Sequence, residues 1–370
     1  MEIFRPYGFD KPMFIITLIL ILFGLLMIFS SSAVLAGEKY HQSFYFLIQQ
    51  SIGVVLGLFF IIFLLSIRTP FYQNVYFIYG LLILSVALLA LCLTMPVYGG
   101  ANRWIYFSGL RFQPSELSKI SIILFLSSYL ERKKDKLHDF NTLLFPLGII
   151  LVFILLTIKE PDYGTAILIC VLSGLMLFIG GVKIKHFLFL GAISIGLFGF
   201  YLFKASYRLE RIIAFLFPTK DPLGSGFQVI QSKIAVGRGG LFGVSIGESS
   251  QKLFFLPCAH TDYIYAIVGE EIGLIGTLAV LFLFVFFLWR GLLISRRAPN
   301  LFCQLLAAGL TIAIFSQALL NISIVVGLGP PTGFPLPLVS FGRSSLLSTL
   351  FAIAILLHIS QRRTSIKGKK

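Results

Sequence analysis

Fifteen carboxylates are spread over 370 residues, few enough to weigh one at a time. Asp262, in His260-Thr261-Asp262-Tyr263, stands where a long connection meets a hydrophobic run. An aspartate facing an outer cavity, partly out of water, has its pKa raised toward that of a useful general base. A helix N-cap occupies the same kind of position, so position by itself leaves both roles open. Glu270 and Glu271 follow eight and nine residues on, roughly 12–13 Å deeper along a helix, and are expected to bond an adjacent helix. Glu116 and Lys119 are three apart in Gln113-Pro114-Ser115-Glu116-Leu117-Ser118-Lys119, hence on one helix face. They form either a buried ion pair holding helices together or a substrate contact. In Glu160-Pro161-Asp162-Tyr163-Gly164-Thr165, an outer turn leading into a helix, Asp162 reads as a cap. Trp104, in Ala101-Asn102-Arg103-Trp104, has the bland reading of an interfacial aromatic anchor.

The remaining carboxylates divide by side. Glu2, Asp10, Glu131, Asp135 and Asp139 fall among basic residues and read as solvated surface, as does the isolated Glu38. Glu210, Asp221 and Glu248 join the groups above on the outer side, where ionisable residues near membrane depth pair or function. Residues 204–262 also carry Lys204, Arg208, Arg211, Lys220, Lys233, Arg238 and Lys252. Arg and Lys beside glycine-rich backbone N–H groups suit an anionic diphosphate, which points weakly to a lipid-linked phosphate substrate.

Other chemistries lack their motifs. There is no Walker loop, so an ATP-driven pump is not indicated. The glycines from Gly237 to Gly247 follow no strand, which argues against a dinucleotide site. Cys92, Cys170, Cys258 and Cys303 have neither metal-ligand spacing nor the pattern of a disulfide framework. A divalent cation such as Mg2+ or Mn2+, bridging a carboxylate and a diphosphate, is chemically reasonable, but no ligand set identifies one.

The elements that must position these groups are membrane helices. Hydrophobic residues make up 57% of the chain and charged residues 12%, about half the charged share of a soluble domain. The run from Met13 to Ala36 exceeds the roughly 20 apolar residues a helix needs to cross hydrocarbon. Helices satisfy their own backbone in lipid, and the short alternating segments of an outer-membrane barrel are absent. Ten spans are expected, at roughly 13–36, 42–66, 75–95, 115–130, 142–158, 164–182, 186–203, 263–289, 301–326 and 343–360. The first lacks a small-residue cleavage site and reads as a retained helix. The net charge of +15 reads as topogenic and not as a nucleic-acid footprint, because the basic residues sit mainly between the spans. Their excess in alternate loops puts both termini in the cytoplasm. The exception is the long outer connection 204–262, which escapes the charge rule by its length. Within it, Gly224–Gly247 reads as a re-entrant or interfacial loop.

Five stretches together resemble the SEDS family (FtsW, RodA and SpoVE). They are Ala101–Lys119, Glu160–Thr165, Tyr207–Gly247, Gln251–Gly273 and Asn321–Leu347, in order across nearly the whole chain. The resemblance implies an all-α polytopic protein of one transmembrane domain, residues 1–370, in the bacterial cytoplasmic membrane. It implies a peptidoglycan glycosyltransferase that polymerises lipid II at the outer face and releases undecaprenyl diphosphate. By family correspondence Asp262 is the base that deprotonates the acceptor 4-hydroxyl. Trp104, Glu116, Lys119, Asp162, Arg208, Lys252, His260 and Thr261 are the candidate substrate contacts. A class B penicillin-binding protein that cross-links the glycan is the implied partner, alongside other division or elongation proteins. Tyr207-Arg208-Leu209, Asp221–Gly226 and Ser249-Ser250-Gln251-Lys252 read closer to the FtsW branch than to RodA. A lipid II flippase and a recruiting scaffold are the competing readings. Two positions depart from the family pattern: Cys258 stands where a glutamate is usual, and Arg343 where a second glycine is usual.

Overall fold

The computed structural model describes residues 8–67, 69–95, 102–107, 110–186, 191, 215–222, 224, 226–253 and 255–362. Ten longer helices lie among them: α1 Lys11–Tyr40, α2 Tyr45–Ser66, α3 Val75–Cys92, α4 Pro114–Arg132, α5 Phe140–Lys159, α6 Tyr163–Ile179, α7 Phe227–Gly239, α8 Ile264–Arg296, α9 Leu301–Val325 and α10 Arg343–Gln361. Nine of the ten expected spans correspond to one of these helices; the seventh, 186–203, lies almost wholly outside the described residues. Seven of the helices are long and apolar enough to cross a membrane. The chain is therefore an all-α polytopic membrane protein. One addition is a small antiparallel hairpin, Ile105–Phe107 with Leu110–Phe112, between α3 and α4.

Local chemistry sets the helix starts. Asp10, Asn74, Asp162 and Asn300 each accept a hydrogen bond from a first-turn backbone N–H of α1, α3, α6 and α9. Pro12 and Pro114 sit at the first turns of α1 and α4, where no N–H is missed. Large apolar side chains such as Leu22, Phe59, Ile62, Ile83 and Phe282 are exposed on the outside of the bundle. That outer surface matches lipid and not water, as for helices apolar on every side. α4, which carries Glu116 and Lys119, is buried along most of its length between α3, α6, α9 and α10.

Two polar belts tie α1 to other parts of the bundle. At one end Arg290 Nη2 pairs with Asp10 Oδ2 at 2.5 Å, and Asp10 N donates to Ser360 Oγ at 2.9 Å. At the other, Ser30 Oγ donates to Glu271 Oε1 at 2.6 Å and Lys252 Nζ pairs with the same oxygen at 2.9 Å. From Asp10 to Ser30 is twenty residues, or ~30 Å of helix, the thickness of a bilayer core.

The glycine-rich stretch is not purely a loop. Residues 227–239 form α7, which packs on the start of α8. A Cβ on Gly239 would collide with the Gly269 carbonyl, so glycine sets this close approach. α8 breaks at Gly273, whose φ of +75° is a left-handed value that glycine adopts without strain. The break frees backbone groups that the segment after α7 takes up. Val244 N and Ser245 N donate to the carbonyls of Glu270 and Glu271 at 3.0 and 3.1 Å, while Leu274 N and Ile275 N donate to Gly240 O and Leu241 O at 2.9 and 3.3 Å. Irregular backbone at this depth survives because each half satisfies the other.

Candidate functional site on the outer face

The site is assembled around the turn before α8. Thr261 N and Tyr263 N both donate to Cys258 O, at 3.1 and 3.3 Å, and Cys258 itself has φ +57°. The family glutamate position is thus a tight-turn residue here, with an exposed thiol. The His260 ring packs beside Phe46 and Phe341, with centroids 4.6 and 5.9 Å away. Burial, and then Lys39, push the His260 pKa down to about 4, so the imidazole is neutral at ordinary pH. Its carbonyl accepts from Phe341 N at 3.0 Å, which joins this turn to the C-terminal signature loop.

Asn321, on α9, makes the second joint. Its Nδ2 donates to Asp262 O at 2.7 Å and to Phe334 O at 2.6 Å. The backbone at Asp262 is therefore tied to α9 and, through the same amide, to the signature loop. A Cβ on Gly333 would lie 3.4 Å from Asp262 Oδ2, so glycine there leaves the carboxylate uncrowded. Tyr263, and not Asp262, takes the N-cap position of α8, with no side-chain capping bond. Burial raises the Asp262 pKa to about 6, against the opposing pull of Arg103 and Thr261. A carboxylate in that range is ionised at neutral pH and is a stronger base than an ordinary aspartate.

The other candidates separate into neighbours and tethers. Asp162 is saturated: Thr165 N donates to Oδ1 at 3.3 Å, while Thr165 Oγ1, Ser115 Oγ and Gln113 Nε2 donate to Oδ2 at 2.9, 3.2 and 3.2 Å. It caps α6 and ties it to the start of α4. Glu116 Oε1 pairs with Lys119 Nζ at 2.9 Å, and Lys119 also donates to Gln317 Oε1 at 2.6 Å. Ser348 Oγ donates to Glu116 Oε2 at 2.8 Å, so the pair joins α4, α9 and α10. A cavity of about 20 Å³ beside it has room for one water. Gln317 Nε2 continues the network to Pro335 O at 3.1 Å, in the signature loop.

Lys252 lies in the outer polar belt. Its ammonium spends its donors on Glu271, Ser30 Oγ at 3.2 Å and Gly247 O at 2.6 Å. Glu271 does bond a neighbouring helix, α1, through Ser30, and Glu270 bonds α7 through Arg238 Nη1 at 3.4 Å while also accepting from Ser250 N at 3.2 Å and Gln251 N at 3.3 Å in the connecting loop. Arg343 donates to Gln49 Oε1 on α2 at 2.8 Å. Trp104 is half-buried just before the hairpin. Arg208 lies outside the described residues. Among the described residues no group of three or more His, Cys, Asp or Glu side chains is arranged to hold a metal ion.

Two residues not singled out as site candidates in the sequence belong to the neighbourhood. Arg103 acts electrostatically on Asp262 and on Glu160, and its Nη2 donates to Pro161 O. Glu160 is fully buried with both oxygens unpartnered among the described residues. In the sequence it looks like the last polar residue before a turn; only packing reveals that it is desolvated.

Fold and site define a polytopic membrane protein that carries most of its candidate site residues at the outer ends of its helices. The family model FtsW/RodA/SpoVE, described as cell cycle protein, matches residues 10–365, and the chain belongs to that family. A relative from Geobacter sp. (strain M18), named as a probable peptidoglycan glycosyltransferase FtsW, is 37% identical over 362 residues, covering 97% of this chain and 98% of its own. Stage V sporulation protein E of Bacillus subtilis (strain 168) is 39% identical over 358 residues, covering 95% and 97%. A chain of a solved peptidoglycan synthase complex that coordinates polymerization and crosslinking superposes with a TM-score of 0.79 at 28% identity, covering 96% of this chain and 98% of that one. The RodA crystal structure from Thermus thermophilus shares the fold, with a TM-score of 0.70 at 24% identity and coverage of 96% and 98%. Membership and the apolar helices together make this a multi-pass inner-membrane protein.

Proposed function

We propose that the chain is a peptidoglycan glycosyltransferase that polymerises lipid II at the outer face of the membrane, with Asp262 as the base. The observation that carries this reading is the Asp262 carboxylate: uncapped, uncrowded at Gly333, and raised to a pKa of about 6. In the reaction Asp262 accepts the proton of the acceptor 4-hydroxyl as that oxygen bonds to the donor anomeric carbon. The bond from that carbon to the diphosphate breaks, and undecaprenyl diphosphate leaves with the electron pair. One base and cationic stabilisation of the leaving group suffice for such a displacement. Arg103 is the described cation that acts on Asp262, while Arg208 is proposed for the diphosphate from sequence alone. Trp104, His260 and Thr261 border the same turn or hairpin and are proposed as sugar contacts. Glu116, Lys119, Asp162 and Lys252 support the site as tethers, since their charges are already paired or hydrogen-bonded within the protein.

The family relationship supports a class B penicillin-binding protein as partner and a division role closer to FtsW than to RodA. The candidates gather at the outer end of the bundle and not at the midplane, which favours the enzyme over a transporter. The test is polymerisation of purified lipid II by the reconstituted protein. Wild type is expected to yield long glycan strands and Asp262→Asn none; normal strands from the folded variant would remove Asp262 from the mechanism. Lipid II movement in vesicles without polymer would instead favour a flippase.

A further inference from the structure

Glu160 is a buried carboxyl that the mechanism above does not use. It ends α5 at the outer face, is fully buried, and has no hydrogen-bond partner on either oxygen among the described residues. An ionised carboxylate in that state would be costly, because nothing replaces the water it lost. The cation within electrostatic reach is Arg103, which is held to the same turn through the bond from Nη2 to Pro161 O. Arg103 Nε is itself buried without a partner among the described residues. The same guanidinium acts on Asp262. One cation, fixed at Pro161 next to Glu160, therefore acts electrostatically on two carboxyls, one of them the proposed base.

We propose that Glu160 is a positioning residue that acts through Arg103: neutral, it leaves the guanidinium to Asp262 and the departing diphosphate, and ionised, it draws that charge to itself. This rests on the reading of Asp262 as base. The groups facing Glu160 are Asp162 from the start of α6, Arg103 from the segment before the hairpin, and Cys92 at the end of α3. Burial first, and then Asp162, raise the Glu160 pKa to about 8, with Arg103 opposing. The groups facing Asp262 are Arg103, Thr261 and Cys258. The sign follows. Below about pH 8 Glu160 carries its proton and Arg103 remains available; above it, the new carboxylate competes for the guanidinium and polymerisation slows. Asp262 ionises near pH 6, so the rate rises there first. The wild-type profile is a bell with Asp262 on the acid side and Glu160 on the alkaline side.

The experiment is the pH–rate profile of lipid II polymerisation for reconstituted wild type, Glu160→Gln and Arg103→Gln/Glu160→Gln against Arg103→Gln. Glutamine keeps the shape of the neutral carboxyl and cannot ionise. Glu160→Gln is expected to keep the acid limb and to move the alkaline limb up by roughly one pH unit or more. In the Arg103→Gln background the same change should have no effect, because the residue acts through the guanidinium. An alkaline fall identical to wild type, or an equal loss of rate at every pH, overturns the proposal. Infrared spectra supply a reading free of turnover: a protonated-carboxyl band present in wild type, absent in Glu160→Gln, and lost as pH rises through about 8. Absence of that band at neutral pH overturns it whatever Asp262 does, whereas an active Asp262→Asn variant sinks the base assignment and leaves the band untouched.

Discussion

Replacing Asn321 by leucine isolates the joint that holds the turn of the proposed base. Asn321 is almost fully buried, and its amide nitrogen serves two carbonyls, Asp262 O at 2.7 Å and Phe334 O at 2.6 Å. Its own Oδ1 has no partner among the described residues, so its contribution is donation alone. Leucine keeps the volume and removes both donors. Each buried carbonyl left unpaired costs about 1–3 kcal/mol, and the pair can relieve that cost by letting the turn at Asp262 move away from the signature loop. If about 2 kcal/mol of it is spent in that way, the population with Asp262 correctly placed falls about 30-fold, at 1.4 kcal/mol per factor of ten. The expected result is a ~30-fold lower rate of lipid II polymerisation in proteoliposomes with lipid II affinity little changed. Asn321→Asp should be worse, because it sets a carboxylate oxygen against two carbonyl oxygens. A polymerisation rate within about threefold of wild type for a leucine variant with a lowered melting temperature would refute the reasoning. It would show that the bond stabilises the bundle without orienting the base.

Three other outcomes follow from the same contacts. The acid limb of the wild-type pH–rate profile should lie near pH 6, since Asp262, as the proposed base, works only when ionised and loses activity as pH falls through its pKa; a limb in the ordinary aspartate range would contradict its desolvation. Lys119→Met should destabilise by about 3–5 kcal/mol, because it strands the Glu116 carboxylate among α4, α9 and α10. Glu116→Leu/Lys119→Met should recover much of that loss in thermal unfolding, and recovery of stability without activity would assign the pair a role beyond structure. Gly239→Ala should separate α7 from α8 by pushing a Cβ into the Gly269 carbonyl; faster protease cleavage between residues 240 and 252 is the readout, and wild-type resistance would mean the helices adjust freely.

Hydropathy made the spans readable: a helix in lipid must be apolar along a whole crossing, and that demand is written residue by residue. It is why α1, α2, α8, α9 and α10 fall where the pattern expects them. The motif around His260-Thr261-Asp262 was legible too, because its residue types and its place before a span are local properties. Helix α7 was not, since a glycine-rich stretch has weak helix propensity and becomes helical only against α8. Nor could the sequence choose between cap and base at Asp262, or reveal that Lys252, expected as a substrate contact, is held by other groups of the protein. Those choices depend on which distant groups arrive: Asn321 and Gly333 beside Asp262, Ser30 and Glu271 around Lys252. Glu160 makes the same point most sharply. Its type and position are in the sequence, but its charge state depends on burial and on the distance to Arg103, and only the tertiary structure decides those.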